Sequence, residues 1–221
     1  MPIDDDKTRT NDVQIPPLAL AGSLGLPTSP AQGLVLFAHG SGSSRLSPRN
    51  RYVAGALREA GLATLLFDLL SDAEAADRAN VFDIDLLAER LIDATAWCRS
   101  HAATRALPIG YFGASTGAAA ALVAAARPDC NVGAVVSRGG RPDLAAGALP
   151  RVKAPTLLIV GSHDTEVLAL NRMALGKLRC EAKLEIVPGA THLFEEPGTL
   201  EVVVDLARRW FLQHLVTAAQ R

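Results

Sequence analysis

Five short apolar runs, at residues 34–38, 64–67, 108–112, 132–136 and 156–160, recur along the chain with amphipathic stretches between them. Each is shorter than an ordinary helix and apolar throughout rather than alternating, which is the pattern of a strand buried on both faces. Such strands need helices above and below, and parallel neighbours need a crossover between them. The intervening segments supply both. Ser47-Pro48 offers an N-cap and a first-turn proline, Val53, Ala56, Leu57 and Ala60 repeat at helical spacing, and Gly61 can close that helix. Ile84, Leu87, Leu91, Ala94 and Cys98 form a second apolar stripe. The expected fold is α/β, a doubly wound, mostly parallel sheet with helices on both faces. Val13 to Leu26, punctuated by Pro16, Pro17, Gly22 and Gly25, is expected as an antiparallel hairpin at one edge. Residues 1–12 are polar and read as a disordered N-terminal segment, leaving 13–221 as a single domain.

The run 108–112 leads into Gly113-Ala114-Ser115-Thr116-Gly117 and then into the alanine-rich stretch 118–126. Strand, tight turn and helix are the context in which G-x-S-x-G is a nucleophile elbow rather than an ordinary glycine turn. A hydroxyl is a weak nucleophile at neutral pH, so it must be presented to a base. The turn presents Ser115, and it also puts the backbone N–H of Thr116 at a helix N-terminus, where partial positive charge meets a developing oxyanion.

Base and acid follow in the order such a site requires. Residues 156–160 end in Gly161-Ser162-His163-Asp164, so Asp164 falls just past the C-terminal end of a strand, where sheets of this kind gather active groups. A further strand-like stretch, 183–187, leads into Pro188-Gly189-Ala190-Thr191-His192. A carboxylate on one imidazole nitrogen fixes the tautomer and stabilises the protonated ring, which suits His192 to act as base and then as acid. Glu166 reads better as a first-turn helix charge than as the acid. His163 points away from the site on this reading, and His101 and His214 read as solvent-facing helix residues.

After residues 34–38 comes His39-Gly40-Ser41-Gly42-Ser43-Ser44-Arg45. A loop after an early strand supplies the second oxyanion donor, assigned to the Ser41 N–H, with His39 bracing the loop. Gly40-x-Gly42-x-x-Arg45 approaches the dinucleotide fingerprint but lacks its third glycine, and Ser47-Pro48 starts the helix too late to meet a pyrophosphate. His39, His163, Asp164 and His192 include no pair at the i, i+4 spacing of a helical zinc motif, so no metal site is assigned.

At these four places, His39-Gly40-Ser41, Gly113-x-Ser115-x-Gly117, Gly161-x-x-Asp164 and Thr191-His192, the chain resembles the α/β-hydrolase family, and within it the compact dienelactone-hydrolase-like members. The resemblance runs from about Gly33 to Leu215. It implies a hydrolase without a cofactor. Dienelactone hydrolases proper use cysteine as nucleophile, whereas this chain has serine, which leaves general ester chemistry. The expected function is hydrolysis of small, ester-like substrates through an acyl-enzyme. Acyl transfer on the same residues and a non-catalytic, hydrolase-like binding protein are the alternatives.

Lys and Arg number 22 against 23 Asp and Glu, so charge makes no case for nucleic-acid binding. Three scattered cysteines suggest neither a disulfide framework nor a zinc ribbon. The acidic start lacks the apolar core of a signal peptide and no apolar stretch suits a bilayer, so cytoplasm is the expected compartment and no membrane partner is expected. Nothing in the chain sets an oligomeric state. Arg138 leaves the run 132–136 beside the catalytic loops, and Arg45 lies in the oxyanion loop. Two readings stand for them: solvated or paired with structural carboxylates, or binding an anionic group of the substrate. The connection from Ser137 to Pro155 is too short for a large lid.

Overall fold

The computed structural model describes residues 9–216. In chain order these form β1 (Arg9–Ile15), β2 (Leu20–Leu26), β3 (Leu34–Ala38), α1 (Pro48–Glu59), β4 (Ala63–Phe67), α2 (Asp72–Ala75), α3 (Arg78–Phe82), α4 (Ile84–Ser100), β5 (Ile109–Ala114), α5 (Thr116–Ala125), β6 (Ala134–Arg138), β7 (Thr156–Gly161), α6 (Thr165–Leu175), β8 (Ala182–Val187) and α7 (Thr199–Phe211). The eight strands make one sheet in the order β1-β2-β4-β3-β5-β6-β7-β8. β2 runs antiparallel to β1 and β4, and the other pairs are parallel.

The unbroken apolar runs follow from two cores served in alternation. Leu34 and Leu36 face one core with Leu87, Leu91 and Cys98 of α4 and the alanines of α5. Val35 and Phe37 face the other, with Val53 and Leu57 of α1 and Trp210 and Phe211 of α7. Each fully buried Leu, Val or Phe contributes about 1.5–3 kcal/mol of transfer free energy, so neither face tolerates a polar residue cheaply. α5 is buried nearly all round, and its alanines let it lie close between sheet and α4. The capping expected for α1 is present: Ser47 accepts a hydrogen bond from the Asn50 N–H, and Gly61 takes φ +86° beyond the helix end.

Three details differ from the sequence expectations. Residues 9–12 lie in β1, paired with 23–26 of β2, so the disordered segment expected over 1–12 does not include them; residues 1–8 lie outside the described residues. The helices α2 and α3 were not anticipated, although Ser71 and Glu74 form a complete capping box for α2. His214 is not solvent-facing: its side chain is 11% exposed, tucked beside Glu181 and against the Trp210 ring. The connection from β6 to β7 holds only two short 3-10 turns, and no helix among the described residues is long and apolar enough to cross a membrane.

Candidate active site

Parallel strands of one sheet end on one side, and β3, β5, β6, β7 and β8 bring their following loops together there. At the end of β5, Ser115 has φ 51° and ψ −122°, a strained conformation that costs about 1–3 kcal/mol for a residue with a Cβ. Neighbouring backbone holds it. The Ser115 N–H donates to the Arg138 carbonyl (3.3 Å), and the Ser115 carbonyl accepts from the N–H of Arg141 (3.1 Å). Gly117 is required by close approach: a Cβ there would lie 2.2 Å from the Ala38 carbonyl oxygen.

Asp164 occupies the N-cap position of α6 but makes no side-chain cap. Its carboxylate is engaged elsewhere, with Oδ2 2.6 Å from Nδ1 of His192. The histidine loop is tied down on both flanks. Thr191 donates its N–H (3.1 Å) and hydroxyl (2.6 Å) to Glu196, and the Gly189 N–H donates to the Ser162 hydroxyl (2.8 Å). Ser115 and His192 line one cavity of about 660 Å³, together with Gly40, Ser41, Arg49 and Arg138.

The loop after β3 shows an arrangement the sequence reading did not foresee. A Cβ on Gly40 would sit 3.0 Å from that of Ser115, so the loop lies directly against the serine. The N–H of Ser41, however, donates to the Thr116 side-chain hydroxyl (2.9 Å). The two residues expected to supply oxyanion donors are thus joined to each other, and a hydroxyl on the residue after the serine was the available sign.

His39 braces this loop. Its Nε2 accepts from the Leu69 N–H (3.1 Å), which leaves the Nδ1–H to donate to the Gly40 carbonyl (3.0 Å). Burial pushes its pKa below the ordinary histidine value, partly offset by the hydrogen bond to Gly40 and by the Asp68 charge. A base with a depressed folded pKa contributes stability that is complete above its unfolded pKa, about 6.5, and is lost as pH falls through the folded value. The melting temperature is therefore expected to fall between pH 7 and pH 5, and the fall should be shallower in His39→Gln. His214, whose pKa burial also lowers, contributes a slope of the same sign in both proteins. Identical slopes would remove His39 from the account.

The rival residues lie elsewhere. His163 and Glu166 are exposed, and His101 caps the end of α4 beside Trp97. Among the described residues, no group of three or more His, Cys, Asp or Glu side chains is placed to hold a metal ion.

The two arginines considered for the substrate part company. The guanidinium of Arg45 pairs with Asp68 at 3.2 Å, its backbone N–H donates to the same carboxylate at 2.7 Å, and it lines a neighbouring cavity, not that of Ser115. For Arg45 the structure shows the structural ion pair in place of a position at the Ser115 cavity. Arg138 is 7% exposed, and its Nε and Nη1 have no hydrogen-bond partner. Leaving one buried donor unsatisfied costs about 1–3 kcal/mol. Burial, with Arg49 nearby, pushes its pKa down to about 10. Arg49, which the sequence reading passed over, lines the same cavity and pairs with exposed Glu195 at 2.8 Å.

A mostly parallel sheet in this strand order, with serine on the turn after β5, aspartate after β7 and histidine after β8, is the arrangement of an α/β-hydrolase without a lid. The chain belongs to the dienelactone hydrolase family, whose sequence profile matches residues 21–210. A dienelactone hydrolase from Anabaena variabilis is 55% identical, with a TM-score of 0.89 over 95% of this chain and 98% of that one. An α/β serine hydrolase without lid from Xanthomonas campestris shares the fold at 21% identity, with a TM-score of 0.75 over 97% of this chain and 98% of that one. Two Mycobacterium tuberculosis proteins, from strains CDC 1551 and H37Rv, are 61% identical over 96% of this chain and are named "Putative phosphoribosyl transferase". The chain spans 48% of their length.

Proposed function

We propose that the protein is a serine hydrolase of small ester-like substrates, a carboxylic ester hydrolase working through an acyl-enzyme. The observation that carries this reading is the 2.6 Å contact of Asp164 with Nδ1 of His192, beside a strained serine lining the same cavity. With Nδ1 engaged, Nε2 is the ring nitrogen left to take the proton of the Ser115 hydroxyl as its oxygen attacks the ester carbonyl. The carbonyl becomes an oxyanion held by the N–H groups of Thr116 and Ser41, the latter turning from the Thr116 hydroxyl to the oxyanion. Protonated His192 then delivers its proton to the leaving alcohol. Water, deprotonated by His192, attacks the acyl-serine and restores the enzyme. Asp164 orients the imidazole and stabilises its charged form throughout.

Each of these roles uses residues of this chain alone, with no cofactor and no metal. The relatives named for phosphoribosyl transfer are about twice as long, and the acyl chemistry is assigned to the half that this chain represents. The absence of a large lid between β6 and β7 favours short, soluble esters over long-chain lipids.

Purified protein assayed against short-chain and long-chain aryl esters, lactones and thioesters is expected to turn over the short esters best and to be labelled stoichiometrically at Ser115 by an organophosphonate. Product analysis with added alcohols separates hydrolysis from acyl transfer. No turnover and no labelling of a folded sample would leave a binding protein on a hydrolase scaffold.

A further inference from the structure

Deeply buried arginines are ordinarily paired, and even less buried ones in this molecule are: Arg45 with Asp68, Arg90 with Glu74 and Arg141 with Asp143. Arg138 is not. With Nε and Nη1 both unpartnered, neither edge of the guanidinium fork is complete. Its guanidinium carbon lies over the Phe194 ring at 6.0 Å from the centroid, the outer limit of a cation–π contact. In the β5–β6 ladder Arg138 stands opposite Ala114, so it leaves its strand beside Ser115. Its neighbour across the cavity is a second guanidinium, Arg49, and among the described residues no carboxylate lines that cavity. Two like charges are thus held in one pocket with a hydroxyl-rich rim from Ser41, Ser43, Ser44 and Ser47.

We propose that Arg138 and Arg49 form a subsite for a phosphate-type dianion carried by the substrate next to its scissile ester. A single carboxylate brings one charge and two oxygens, which one arginine satisfies. A phosphate monoester brings nearly two charges and three terminal oxygens, enough to bridge two guanidiniums and accept from the serine hydroxyls. Arg49 reaches it by leaving Glu195, whose side chain is 61% exposed and returns to water. The occupied subsite relieves both the desolvation of Arg138 and its repulsion by Arg49. That the dianion belongs to a substrate rests on the reading of Ser115 as nucleophile; the binding itself does not.

Inorganic phosphate is the probe, titrated into Ser115→Ala protein by calorimetry and by thermal melting, with acetate at matched ionic strength as comparison. Phosphate is expected to bind saturably and raise the melting temperature, and acetate to bind at least about tenfold more weakly. Arg138→Met, which removes a buried unpaired charge, should melt no lower than its parent without phosphate and bind phosphate at least about tenfold more weakly. Arg138→Lys keeps the charge without the fork and should fall between them. Arg49→Ala should weaken phosphate severalfold, while Arg45→Ala should not change it. Acetate binding as tightly as phosphate, unchanged phosphate affinity in Arg138→Met, or a marked fall in its melting temperature would each overturn the proposal. If phosphate binding depends on Arg138 while Ser115→Ala retains ester turnover, the subsite stands and the nucleophile assignment falls.

Discussion

Ser115→Ala is expected to lower ester turnover by about 10⁵-fold, the scale at which loss of a covalent nucleophile removes the acyl-enzyme route. Binding and the oxyanion donors survive the change, so a small residual rate should remain. The fold should survive as well. Ser115 has φ 51°, and alanine meets the same steric penalty there as serine, while the backbone bonds to Arg138 and Arg141 do not involve the side chain. Circular dichroism and melting should therefore match wild type while turnover collapses and organophosphonate labelling disappears. Retention of more than about a tenth of wild-type turnover, far above the residue left by such knockouts, would place the nucleophile elsewhere.

Asp164→Asn should cost about 10³–10⁴-fold in kcat, because an amide facing Nδ1 neither fixes the productive tautomer nor stabilises the imidazolium. The 2.6 Å contact makes this a sharp test, since no other carboxylate is bonded to that nitrogen among the described residues. Little loss of stability is expected at α6: the Asp164 side chain makes no cap to the helix, so no helix bond disappears with its charge. Glu166→Gln, in the exposed first turn of α6, should leave turnover near wild type. A Glu166→Gln protein as inactive as Asp164→Asn would reassign the acid.

The sheet was legible because burial on both faces leaves no room for polar positions. The runs at 34–38 and 156–160 sit within β3 and β7, and the hairpin from Val13 to Leu26 within β1 and β2. The short helices α2 and α3 were not legible, since they bury no residue and leave no apolar period to read. Their only local sign is capping chemistry, which also occurs in turns.

Of the site, the chain order and turn chemistry around Ser115, Asp164 and His192 could be read locally, because each sits where a strand ends and a loop begins. What the sequence by itself determined was which residues stand at those strand ends. The partnerships across loops were decided only by the tertiary structure: the Ser41 N–H on the Thr116 hydroxyl, His39 between Gly40 and Leu69, Arg45 on Asp68 and Arg138 left without a partner. The physical reason is the reach of the interactions. Apolar period and turn preference act over a few residues along the chain, whereas whether a buried charge finds a counter-charge depends on which loops the sheet order brings together.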